Sequence, residues 1–166
     1  MRHIITILLQ NEAGALARVA NAFAARGYNI DSLSVAPTHE ATVSRLTLVT
    51  TGSDAVIEQI IKQTRKLIDV VEIADLSSSD HIECELLMAK VEVNAESARK
   101  VVECVREHRA QILDESDDTR MIQLAGTGSE IDALVSDLGR ISTILEVDRS
   151  GVAAMARGRR IVTVAA

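Results

Sequence analysis

Apolar and polar positions follow two periods along this chain, and the switches between them mark its elements. His3 to Leu9 carries Ile and Leu with one Thr, the continuous apolar run of a buried strand at about 3–10. From Gly14 the apolar residues fall at Leu16, Val19, Ala20 and Phe23. That i, i+3, i+4, i+7 spacing predicts a helix over 15–26, and Gly27 sits just past it, where a helix end needs positive φ. Strands at about 30–36 and 42–50 follow. Ser53 is a good N-cap for a helix over 54–67 whose apolar face runs through Val56, Ile57, Ile60, Ile61, Leu67 and Ile68. The β-branched stretch Val70-Val71-Glu72-Ile73 predicts a strand at 70–76.

Leu76-Ser77-Ser78-Ser79-Asp80 interrupts the pattern and reads as a linker. The same order then recurs. Glu83 to Val93 reads as a strand, and Asn94 can cap a helix with Ala98, Val101, Val102 and Val105 on its inner face. Gln111–Glu115 and Met121–Ala125 read as paired strands around Ser116-Asp117-Asp118. Thr127-Gly128-Ser129-Glu130 has capping-box spacing ahead of Ile131, Leu134, Val135 and Leu138, and Thr143–Arg149 closes the unit. Both halves read βαββαβ. That α+β order predicts two tandem ferredoxin-like domains, each a four-stranded antiparallel sheet with two helices on one face. The expected boundaries are a first domain at 1–76, a linker at 77–81, a second domain at 82–151 and a C-terminal tail at 152–166. Domains this small bury only part of their surface, so pairing into dimers is expected.

Composition narrows the function classes. One Phe, one Tyr and no Trp leave an aliphatic core and no stacking platform for bases, which argues against single-stranded nucleic acid. A net charge of −6 disfavours polyanions, and the only basic cluster is Arg157, Arg159 and Arg160. Cys84 and Cys104 show no paired-ligand spacing and the histidines are scattered, which fits reduced thiols used as small core residues. Neither a signal-peptide pattern nor a membrane-length apolar run is present, so a cytoplasmic protein without membrane contact is expected.

The candidate chemistry lies at the first helix entrance. The leading N–H groups of a helix lack intrahelical partners and carry the positive end of its dipole, which suits a carboxylate. Glycine at 14 leaves that backbone open to close approach, and Asn11 offers both an acceptor and donors. The same residues would equally serve as a plain cap and turn. Elsewhere, Asp114, Glu115, Asp117 and Asp118 read as a solvated hairpin turn. His3 reads as a surface or edge residue. Gly126-Thr127-Gly128 lacks the rest of a phosphate-loop fingerprint. With no nucleophile–base pair or metal cage, independent catalysis is not expected.

Asn11-Glu12-Ala13-Gly14-Ala15-Leu16-x-Arg18-Val19 followed by Arg26-Gly27-Tyr28-Asn29-Ile30-Asp31-Ser32-Leu33-Ser34-Val35-Ala36-Pro37-Thr38 resembles the ACT domain of the acetohydroxyacid synthase (acetolactate synthase) small regulatory subunit family. Ser44-Arg45-Leu46-Thr47, the stretch Gln59 to Val70, Gln123-Leu124-Ala125-Gly126-Thr127 and Arg149-Ser150-Gly151-Val152 extend the resemblance over about residues 1–158. It implies a non-catalytic, homodimeric subunit in branched-chain amino-acid biosynthesis. Such a subunit activates a thiamine-diphosphate-dependent catalytic subunit and confers feedback inhibition by valine. Thiamine diphosphate, Mg and FAD would sit on that catalytic subunit, with no cofactor on this chain. The effector is implied to lie between two ACT domains paired edge to edge. Asn11, Gly14, Ala15 and Leu16 would come from one copy, Asn29 and Ile30 from the other. The chain departs from the family pattern at His108-Arg109-Ala110, where Phe-Arg-Gly is usual, and at Arg120, where Tyr is usual. Two other functions fit parts of the pattern: a free-standing amino-acid sensor acting on another enzyme or on transcription, and an assembly scaffold. The first would need a basic nucleic-acid surface, and none is evident before His3 or after Val152.

Overall fold

The computed structural model describes residues 1–163. These form two units, one made of Met1–Ile82 with the chain from Val152 onward, the other of Glu83–Gly151.

The first unit contains β1 (Arg2–Gln10), α1 (Ala15–Ala24), β2 (Ser32–Pro37), β3 (Val43–Thr51), α2 (Asp54–Thr64) and β4 (Val70–Asp75). Its strands stand in the order β2-β3-β1-β4, antiparallel throughout. β1 is central and covered on both faces, which is why it reads as a continuous apolar run and not as an alternation. On the helix face Ile5, Ile7, Leu9, Leu46, Leu48 and Ile73 pack against Val19, Phe23, Ile57 and Ile60, and the single Phe is fully buried at the centre. On the opposite face Ile4, Val49 and Leu76 pack with Val152 and Ala154.

The second unit repeats the order with β5 (His81–Glu92), α3 (Ser97–Glu107), β6 (Gln111–Glu115), β7 (Thr119–Gly126), α4 (Gly128–Ile141) and β8 (Ile144–Ala156), in sheet order β6-β7-β5-β8. The unit boundaries fall inside β5 and β8. Here β5 alternates: Glu85, Leu87, Ala89 and Val91 are buried while Cys84, Leu86 and Glu92 are exposed, the pattern of a sheet covered on one face. Its core joins Leu87, Ala89, Val91, Ile122 and Leu124 to Val101, Cys104, Val105, Ile131, Leu134 and Leu138 on the helices. The Thr127–Glu130 capping box is fully formed, and the Thr127 backbone N–H bond holds the Glu130 carboxyl below its usual range.

Several details depart from expectation. α1 and α2 end at Ala24 and Thr64, short of 26 and 67, because their last residues tighten into turns. At α1 the Gly27 N–H bonds Ala24 O and the Tyr28 N–H bonds Phe23 O, with Gly27 at φ 71°. The N-cap of α3 is Glu96, but the Asn94 side-chain oxygen still accepts from the N–H groups of Glu96 and Ser97. The chain after 151 is not simply a tail: β8 runs on to Ala156, since Val152 and Ala154 alternate inward onto an apolar sheet face. Cys84 is exposed, whereas Cys104 is a buried core residue whose thiol is pushed up by burial. His3 is buried, not a surface residue, with its ring nitrogens 3.4 Å from Asp54 and Asp75.

Candidate functional site

Between β1 and α1 the chain makes a tight reversal. The Asn11 N–H bonds Thr42 O, and its side-chain amide donates to Ala41 O at 2.9 Å, so Asn11 ties the turn to the β2–β3 connection and does not cap α1. Gly14 holds the N-cap position at φ 87°, a left-handed conformation that favours glycine. Neither an N-cap side chain nor an acidic residue in the first turn occupies the leading N–H groups of α1. Asn11, Gly14 and Leu16 are exposed, and Ala15 is buried. The surface formed is a small, open platform at the positive end of the α1 dipole, with the exposed Glu12 beside it.

Two residues complete this end. Arg18, one turn into α1, donates from Nε and Nη2 to the Asp69 carboxylate, and Asp69 is buried just before β4. The Arg18 hydrogen bond holds the Asp69 carboxyl below its usual range, and Asp69 in turn raises the guanidinium. Arg18 Nη1 lies over the glycine, 2.9 Å from where a Gly14 Cβ would stand. Arg18 and Asp69 are not among the candidate residues expected from the sequence; Arg18 lies one turn beyond Gly14, on the same helix face. Asp69 carries no local signal, because the pairing spans 51 positions.

Asn29 and Ile30 lie elsewhere. Asn29 is exposed, its side-chain amide donates to Asp31 Oδ1 at 2.8 Å, and its carbonyl accepts from Thr50 Oγ1 at 2.6 Å. Ile30 is half-buried against the first core. The register gives the separation. Ser32 stands opposite Val49, which stands opposite Ile4, whereas Gln10 stands opposite Val43. Six positions along β1, about 20 Å, therefore separate the ends of the sheet that carry the two groups. One copy of the chain brings Asn11, Gly14, Ala15 and Leu16 together but not Asn29 and Ile30 with them.

In the second unit Arg149 makes a two-point pair with buried Glu85, at 3.1 and 2.7 Å, and reaches Asp132 at 2.8 Å. This joins β8, β5 and α4. Among the described residues no group of three or more His, Cys, Asp or Glu is placed to hold a metal ion, and no helix is long and apolar enough to cross a membrane.

Residues 5–72 match the family described as the AHAS small subunit-like ACT domain, and residues 84–158 match the small subunit of acetolactate synthase. The chain is 42% identical over 162 residues to the acetolactate synthase isozyme 3 small subunit of Salmonella typhimurium, covering 98% of this chain and 99% of that one. The chain belongs to the acetolactate synthase small-subunit family. Similarity extends to the archaeal probable acetolactate synthase small subunit of Archaeoglobus fulgidus, 39% identical over 96% of this chain and 99% of that one. The crystal structure of the acetolactate synthase small subunit from Thermotoga maritima superimposes with a TM-score of 0.88 at 31% identity, covering 96% and 99% of the two chains. As a small-subunit family member the chain is a regulatory and not a catalytic subunit, and its platform at α1 belongs to an ACT domain.

Proposed function

We propose that this chain binds the catalytic subunit of a cytoplasmic acetolactate synthase, raises its activity and makes it sensitive to L-valine. In this reading thiamine diphosphate, Mg and FAD belong to the catalytic subunit, and this chain works as a homodimer with no cofactor of its own. The observation that supports it is the 20 Å split of the candidate residues together with the free outer edge of β2, the first strand in the sheet order. Pairing two copies antiparallel along β2 about a two-fold axis sets the β2 start of one copy against the β2 end of the other. The β2 end lies on the Gln10 side of the sheet, since Pro37 stands opposite Ser44 and Ser44 opposite Leu9. Asn29 and Ile30 of the partner subunit thereby approach Asn11, Gly14, Ala15 and Leu16.

The chemistry of such a composite site suits a free amino acid. The α1 N–H groups and Arg18 favour its carboxylate, side-chain oxygens of Asn11 and Asn29 favour its ammonium, and Leu16 and Ile30 take an isopropyl group. Burying that group contributes about 1.5–3 kcal/mol. Adding or removing one methylene changes binding by about 1–3 kcal/mol, so discrimination among branched amino acids is modest. Valine regulates because it binds one arrangement of the complex better than another; only such a difference in affinity shifts the population.

Calorimetric titration of the full chain with L-valine, with D-valine and L-threonine as controls, tests the reading. Saturable, stereoselective binding near one valine per chain, abolished by Asn29→Ala in a protein that remains dimeric, is expected. No binding by either the chain or its complex with the catalytic subunit would overturn it.

A further inference from the structure

The segment Val152–Ala156 continues β8 from Ile144–Gly151, yet it belongs to the first unit, where it lies on the sheet face opposite α1 and α2. Three attachments hold it there. The Val152 N–H donates to Ser32 Oγ at 3.1 Å, Arg45 Nη2 donates to Ala154 O at 3.0 Å, and Val152 and Ala154 pack with Ile4, Val49 and Leu76. Val152, Ala154, Ile4, Val49 and Leu76 are each no more than 5% exposed, so this is core packing and not a loose overlay.

Ser32 is the first residue of β2 and lies two residues beyond Ile30. The chain between them is held at both ends: the Asn29 carbonyl accepts from Thr50 Oγ1, and the Asp31 N–H bonds Val49 O at 2.8 Å. Residues 29–32 are therefore tied to β3 at Val49 and Thr50, and Ser32 Oγ, two residues from Ile30, is the acceptor of the Val152 N–H.

We infer that the Ser32–Val152 hydrogen bond, with the Arg45–Ala154 bond beside it, is the link by which effector binding at Asn29 and Ile30 reaches β8 and so the second unit. This inference rests on the effector reading proposed above. β8 crosses the boundary through Gly151, and Arg149, three residues before Val152, is fixed to Glu85 and Asp132. The link is specific: it enters through the backbone of the segment that would touch the effector and leaves through the strand anchored by the main ion pair of the second unit.

Hydrogen exchange on the full wild-type chain, with and without saturating L-valine, reads the link without any substitution. The Val152 amide is the reporter, and valine is expected to change its exchange rate by about fivefold or more, the low end of ordinary coupling between sites. In parallel, Ser32→Ala is expected to bind valine within about threefold of wild type and still activate the catalytic subunit, while inhibition of the reconstituted enzyme at saturating valine is largely lost. Valine protection confined to residues 11–33 with Val152 unchanged, or full valine inhibition with Ser32→Ala, would overturn the link while leaving the effector site intact. Absence of valine binding by the wild-type chain and its complex would instead overturn the effector reading, and this inference with it.

Discussion

Gly14→Asp separates the charge argument at the α1 entrance from a purely structural role. Residue 14 sits at φ 87°, so any side chain there is held in a left-handed conformation; for Asp, which tolerates it better than most, this costs about 1 kcal/mol. In a chain of this size that lowers Tm by about 2–4 °C. The new Cβ meets only the Arg18 guanidinium, 2.9 Å from Nη1, so the Arg18–Asp69 pair must shift by a few tenths of an ångström while the backbone is untouched. The electrostatic effect is larger. A carboxylate at 14 would compete with the ligand carboxylate for the α1 N–H groups, and two like charges about 4 Å apart repel by about 4 kcal/mol at an effective dielectric constant near 20. That corresponds to a loss of affinity approaching a thousandfold. Gly14→Ala carries at least as much backbone strain without the charge and is the control for strain. Calorimetric titration of both variants with L-valine, alongside thermal melts, gives the comparison. The expected result is that Gly14→Asp loses measurable valine binding with a small change in Tm, while Gly14→Ala retains most of it. Valine affinity within tenfold of wild type in Gly14→Asp, or equal losses in the two variants, would refute the reasoning.

Three further outcomes follow from the same geometry. Arg149→Met leaves the buried Glu85 carboxylate without its two-point partner and should destabilise the chain by about 3 kcal/mol in denaturant unfolding, a loss partly restored by adding Glu85→Leu. Arg109→Gly should raise stability by about 0.5–1 kcal/mol in the same assay, because Arg109 ends α3 at φ 55°, where glycine bears no Cβ strain. The Asp69 carboxyl, held low by the Arg18 hydrogen bond, binds its proton more weakly folded than unfolded. Its contribution is complete above the unfolded value of about 3.9 and is lost as the pH falls through the folded one, so stability rises with pH across that window. Asp69→Asn should flatten the stability profile below about pH 4, measured by urea unfolding at stepped pH.

Local signals were legible where they depend on neighbours a few positions away. The apolar spacing of Val19 and Phe23, the left-handed Gly27 and the Thr127–Glu130 capping box all appear as read, since each is fixed within one or two turns of chain. The doubled βαββαβ order followed from the same signals. What stayed hidden depends on distant partners. Arg18 meets Asp69 and Arg149 meets Glu85 across 51 and 64 positions, and no periodicity announces such pairs. His3 looked like a strand-end surface residue because its burial comes from β4 and α2, which fold back over it. Val152 and Ala154 looked like the start of a tail because the nearby Arg157, Arg159 and Arg160 outweighed a short inward alternation that only an apolar sheet face makes meaningful. At the candidate site the family resemblance grouped six residues, and strand register shows that they occupy opposite ends of one sheet.

Steady-state acetolactate formation by a purified catalytic subunit, measured alone, with this chain, and with this chain plus L-valine, tests the central claim most directly. The account predicts that adding the chain raises the rate and that valine then lowers it, with no valine effect on the catalytic subunit alone. An unchanged rate on adding the chain, or a valine response that does not require it, would contradict the account.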